Sequence, residues 1–167
     1  MSAFAPKNIV VPVDVDALAD RSLAEQLVDA AADLAKIWNA KLTLLHVASP
    51  MMSPGLIAPE TTAESYRAMV EVVEARNASA HRILDELVGR ARDKGVAAPR
   101  AVMTTNAGSV PELIVAAAKD QHADLIAMTT HARRGLARFF LGSVAERTAH
   151  LADKSHMAVL LLPATAS

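Results

Sequence analysis

Apolar residues gather in five short runs along the chain: NIVVPV (8–13), LTLLHV (42–47), RAVMTT (100–105), DLIAMTT (124–130) and MAVLLLP (157–163). None alternates cleanly between apolar and polar positions. Continuous runs of this length predict strands covered on both faces, as in a parallel sheet.

Helical spacing fills the gaps. Leu23, Leu27, Ala31, Leu34 and Trp38 recur at steps of three and four, with Asp20 or Ser22 as a candidate cap. Thr61 to Lys94 carries Tyr66, Met69, Val70, Val73, Ala80, Leu84, Leu87 and Ala91 on one side, and Gly95 follows as a stop. A helix of about 33 residues would run about 50 Å, so a bend near Asn77–Ser79 is expected. Residues 109–121 and 143–152 supply two shorter helices. Three of the starts read as capping boxes: Thr61 with Glu64, Ser109 with Glu112, and Ser143 with Glu146. Pro111 sits in a first turn, where its missing N–H costs little.

The order is therefore β-α-β-α-β-α-β-α-β, which predicts an open parallel sheet with helices on both sides, in one domain over residues 1–167. The longest irregular stretch is ASPMMSPGLIAPE, residues 48–60. Its Met51 and Met52 read as gap-fillers, or as the lining of a partner surface.

Composition narrows the function classes. The chain has 167 residues, 52% of them hydrophobic but only 3% aromatic, so aliphatic packing must carry the core. A formal charge of −1 gives no electrostatic footprint for nucleic acid or an anionic membrane. The absence of cysteine excludes disulfides and thiolate metal sites. The N-terminus lacks a signal-peptide pattern and no apolar run is long enough to span a bilayer. The expectation is a cytoplasmic protein with no nucleic-acid or membrane partner.

In a sheet of this kind ligands sit outside the carboxyl ends of the strands, where strand order reverses. Those ends carry Asp14, Val47 to Ser49, Asn106 to Gly108, and Thr129, Thr130 and His131. The last leads into HARRGLARFFLGSVAER (131–147), which ends on Gly142-Ser143 at a helix start. Free N–H groups and a partial positive charge at such a start suit a phosphate, and Arg133, Arg134 and Arg138 could add charge. Equally, Ser143 could simply cap its own helix. Neither a G-x-G-x-x-G fingerprint nor a P-loop is present. His46 lies in an apolar strand and reads as a satisfied core or strand-end histidine. Asp14 and Asp16 read as solvent-facing or capping carboxylates before metal ligands. There is no G-x-S-x-G elbow and no identifiable Ser/His/Asp set, so no catalytic residue is assigned.

The segments NIVVPVD, AKLTLLHV, ADLIAMTTHARRGLARFFLGSVAERTAHLA and AVLLLP together resemble the universal stress protein family over nearly the whole chain. The resemblance implies a three-layer α/β/α fold of the adenine-nucleotide alpha-hydrolase-like type, with a five-stranded parallel sheet in the order 3-2-1-4-5. It implies ATP or a related adenine nucleotide held by Pro12, Val13, Asp14, Leu42 or a neighbour in the same strand, Met128, Thr129 and His131. Phosphates would lie on Ala132, Arg133, Gly142, Ser143 and Val144, accompanied by Mg2+ or Mn2+. It also implies a homodimer through the strand at 157–163, and at most weak ATP hydrolysis. Nucleotide-binding members carry Gly-x-x-Gly, nine residues, then Gly-Ser or Gly-Thr. Here Thr129 and Ala132 replace the first two glycines, while Gly142-Ser143 keeps its spacing. Those replacements support an alternative reading, a dimeric interaction module of the same family that binds no nucleotide.

Overall fold

The computed structural model describes residues 4–15, 21–48, 62–104, 108–130 and 142–163. Five strands and four helices alternate: β1 (Asn8–Pro12), α1 (Arg21–Trp38), β2 (Lys41–Ala48), α2 (Ala63–Asp93), β3 (Arg100–Thr104), α3 (Val110–Asp120), β4 (Leu125–Thr130), α4 (Ser143–Asp153) and β5 (Ala158–Pro163). The strands form one parallel sheet in the order β3-β2-β1-β4-β5.

Alternation along each strand splits the core into two layers. Ile9, Val11, Leu42, Leu44, Leu125 and Ala127 face α1 and α2, where Leu27, Val28, Leu84 and Leu87 meet them. Val10, Leu45, Ile126 and Met128 face α3 and α4, against Ile114, Val115, Ala145 and Ala152. With both faces covered, every strand position toward the middle of the sheet must be apolar, which is why no two-residue period shows in the sequence. Alanine supplies much of the helix side of this packing: Ala24, Ala31, Ala32 and Ala35 of α1 are buried, so helix and sheet approach closely without aromatic bulk.

Three expectations change. α2 continues unbroken from Ala63 to Asp93, with Asn77 exposed on its surface, so the bend expected near Asn77–Ser79 does not occur. Its N-cap is Thr62, whose hydroxyl accepts from the Ser65 N–H at 3.2 Å. Ser22 lies inside α1 rather than at its cap. The 48–60 stretch, apart from Ala48, lies outside the described residues, as does Asp16.

Candidate functional site

The sheet opens between β1 and β4, and the cause is one residue. Hydrogen-bonding groups of successive strand residues point to opposite neighbours. The Lys7 carbonyl accepts from Lys41 and the Val13 N–H donates to the Leu45 carbonyl at 2.8 Å, so odd-numbered residues of β1 face β2. The Asn8 carbonyl accepts from the Asp124 N–H at 2.9 Å, so even-numbered residues face β4. Pro12 is therefore turned toward β4, where it has no hydrogen to donate. Accordingly β1 and β4 pair only through Ile9 with Leu125 and Val10 with Ile126. β1 and β2 stay paired to Pro12–Leu45, and β4 and β5 stay paired to Thr130–Pro163. A proline inside a central strand normally argues against that strand. Here it sits where the ladder ends and the two strand tips separate.

Val13 and Val15 are buried in the α1/α2 layer, while Asp14 between them is exposed. This alternation holds the Asp14 carboxylate outward at the strand tips. His46 fixes the same segment from the side. It is buried, and its Nδ1 lies 3.2 Å from the Val13 carbonyl oxygen. A carbonyl only accepts, so Nδ1 carries the proton and donates. The sequence-based reading of His46 as a satisfied strand-end residue is correct.

On β4, the Met128 side chain is buried under α3 and α4, leaving only its backbone at the strand tip. Thr129 is half-buried and pairs with Leu162. Among the described residues only Asn39, His122 and His156 combine a side chain with positive φ. Thr129 is not among them, so its backbone does not require the glycine it replaces, and only bulk distinguishes the two residues there. His131, Ala132 and Arg133 lie outside the described residues.

Leu42 is misplaced by the sequence reading. It pairs with Ile9 at the amino end of the sheet and is fully buried. Periodicity finds the strand but not its register, so the expected contact was set at the wrong end. The residue of β2 that meets the opening is Val47. Lys41 and Leu45 turn their backbone groups toward β1. Val47 is two residues further along and turns the same way, past the last β1–β2 bond.

α4 begins at this same edge of the sheet. Its N-cap is Gly142, at φ 74 and ψ 142, with no side-chain cap. The Gly142 carbonyl accepts from the Glu146 N–H at 3.0 Å and closes the first turn. Ser143 is thus the first helical residue and not the cap, and the expected Ser143–Glu146 box does not form. The N–H groups of Ser143, Val144 and Ala145 have no acceptor within the helix. Ser143 and Val144 are exposed. Amides without helical acceptors, together with the helix dipole, are of a kind that suits an anion. Among the described residues no group of three or more His, Asp or Glu is placed to hold a metal ion. No helix among them is long and apolar enough to cross a membrane.

The model described as the universal stress protein family matches residues 6–159. Among solved structures, a universal stress family protein from Burkholderia pseudomallei is 27% identical, with a TM-score of 0.67 over 95% of this chain and 96% of that one. A universal stress protein in complex with cAMP is 23% identical, with a TM-score of 0.64 over 97% and 100%. The universal stress protein from Archaeoglobus fulgidus in complex with dAMP is 20% identical, with a TM-score of 0.60 over 95% and 98%. Among curated proteins there is no significant match. The shared fold is the α/β adenine-nucleotide alpha-hydrolase-like type.

Proposed function

Since the chain belongs to the universal stress protein family, we propose that it binds ATP or a related adenine nucleotide between the carboxyl ends of β1 and β4. What supports this reading is the glycine-capped start of α4, whose first amides have no acceptor within the helix, at the carboxyl edge of the sheet where the β1–β4 ladder ends near Pro12. Relatives of the same fold are described in complex with cAMP and dAMP.

In this reading the base lies against Pro12, Val13 and the Val47 backbone, which takes the role first given to Leu42. Asp14 receives the ribose hydroxyls. The phosphates rest on the amides of Ser143, Val144 and Ala145, with Gly142 allowing close approach and Ala132 and Arg133 completing the grip. A carboxylate near a triphosphate repels it unless a cation intervenes, so Mg2+ or Mn2+ would arrive with the phosphates rather than occupy a protein-built site. The protein's contribution is binding and orientation. No residue is assigned as a base for hydrolysis.

Calorimetry and thermal melting with ATP and magnesium, with cAMP and AMP alongside, test this. Binding heat and a raised melting temperature are expected; nucleotide at 100 times its Kd stabilises by about 2.7 kcal/mol. No heat at high micromolar protein together with an unshifted melt would overturn the reading.

Thr129 and Ala132 favour the second reading, an interaction module without nucleotide. Its test is reversal: Thr129→Gly with Ala132→Gly would create binding that the parent lacks. For either reading we propose a homodimer through β5. That strand ends the sheet and leaves Val159, Leu160, Leu161 and Leu162 only partly covered, an edge suited to pairing with a second chain. Light scattering that returns a monomer mass at micromolar concentration would count against it.

A further inference from the structure

α2 has two halves that share one stripe but not one environment. Tyr66, Val70, Val73, Asn77, Ala80, Leu84, Leu87 and Ala91 succeed one another at steps of four and three, a heptad seam with a 3.5-residue period. In the second half Ala80, Leu84, Leu87 and Ala91 are buried against the protein's own core. Ion pairs to α1 pin that half: Arg90 with Asp29 at 2.6 Å and Lys94 with Asp33 at 2.8 Å. The first half, Ala63 to Ser79, is an arm of about 25 Å with no buried residue. Along the seam Tyr66 is 45% exposed and Asn77 exposed, while Val70 and Val73 are half-buried; Met69, 37% exposed, and Val72, 55%, lie off it. The seam runs on into solvent without a partner among the described residues.

We propose that a second copy of this chain covers this arm, the two arms packing antiparallel across a two-fold axis. The seam selects that arrangement. Setting Val70 opposite the partner's Val73 gives two valine layers at the centre. The same alignment sets Tyr66 opposite the partner's Asn77 at each end of the seam, so that phenol and amide meet. Asn77, a liability in a wholly apolar seam, then has a polar counterpart, as polar seam residues commonly fix register. The flanking charges agree. Arg67 and Glu74 are exposed, and each follows a seam position. In the antiparallel alignment Arg67 of one arm lies beside Glu74 of the other, and symmetry makes this pair twice. A parallel alignment would instead set Met69 beside the partner's Glu74 and place no opposite charges together. Beyond each polar layer the exposed Ala63 falls at the level of the partner's Ala80, which its own core already buries, so a small side chain stands where the two bodies approach.

The seam is short, at the small end of protein interfaces, so association should depend on concentration. It is separate from the β5 edge, and the test reads arm substitutions alone. Sedimentation velocity of wild type, Arg67→Glu, Glu74→Arg and the double variant compares charge patterns on exposed residues. Each single reversal is expected to raise the dissociation constant of this contact about tenfold, and the double variant to restore it. Circular dichroism checks that the helix persists. The chain has no cysteine, so disulfide trapping is clean: Val70→Cys chains mixed with Val73→Cys chains should give heterodimers in preference to Val70→Cys homodimers. Identical sedimentation of all four proteins overturns the proposal, as does trapping confined to like positions.

Discussion

α3 and α4 are each eleven residues long and both start at the carboxyl edge of the sheet, yet their first turns are finished in opposite ways. α3 is sealed. Pro111 removes one donor, and the Glu112 carboxylate accepts from the Ser109 N–H at 3.0 Å. Ser109 and Glu112 together form a capping box. α4 is capped by a glycine with nothing to offer its amides. Their buried faces differ as well. α3 turns Pro111, Ile114, Val115, Ala117 and Ala118 inward. α4 turns in Ala145, Thr148 and Ala152, and the Thr148 hydroxyl is buried with no partner among the described residues. One helix closes its own first turn with side chains; the other has no side-chain cap on its first amides. Helices of the same length at the same edge can thus be closed or left open at the tip according to one or two residues.

The strongest way to break this contrast is Gly142→Ala. At φ 74 and ψ 142 a side chain is strained, so a loss of about 1–3 kcal/mol is expected in urea unfolding, together with weaker nucleotide binding by calorimetry. Unchanged stability and binding would mean that α4's tip does not depend on glycine. Thr148→Val removes the unpaired hydroxyl at nearly constant volume. It should raise stability by about 1 kcal/mol, read as a higher denaturant midpoint at constant slope, and leave nucleotide binding as it was. Ser143→Asp puts a carboxylate on α4's first turn. It should stabilise the unliganded protein by about 0.3–1 kcal/mol while weakening binding, an opposition that no purely structural tip would produce.

Glu112→Gln is the mildest and tests the sealed helix. The Ser109 N–H, and after it the Ser109 hydroxyl, hold the Glu112 carboxyl below its ordinary value near 4.5, with Arg147 adding a smaller pull in the same direction. A depressed acid contributes stability above its unfolded value and loses it as pH falls through the folded one. Wild type should therefore lose slightly more stability than Glu112→Gln between pH 5 and the acid limit. Superimposable pH–stability curves would show that the glutamate contributes nothing.

The sequence carried the elements well, because strands buried on both faces must be uniformly apolar and helices must show their stripe. All nine were legible, and α3's box was legible from Ser109, Pro111 and Glu112. Register was not. Leu42 looks like any residue of an apolar strand, and only pairing with Ile9 puts it at the far end of the sheet from the opening. Caps between adjacent candidates were also beyond reach. Thr61-Thr62 and Gly142-Ser143 each offer two, and the choice depends on the direction from which the chain enters. At Gly142 that direction demands positive φ, which selects glycine and passes over the serine that periodicity favours. The bend expected at Asn77 failed for a different reason: length alone suggested it, whereas a helix can extend past the body it packs on.

Pro12 has a geometric consequence beyond its own residue. Because its nitrogen is turned toward β4, its place in the chain fixes how deep a guest can sink between the two strands. A proline two residues earlier would keep the same facing and lower the floor of that slot by about 7 Å. Two residues later, it would let the ladder run on and raise the floor by as much.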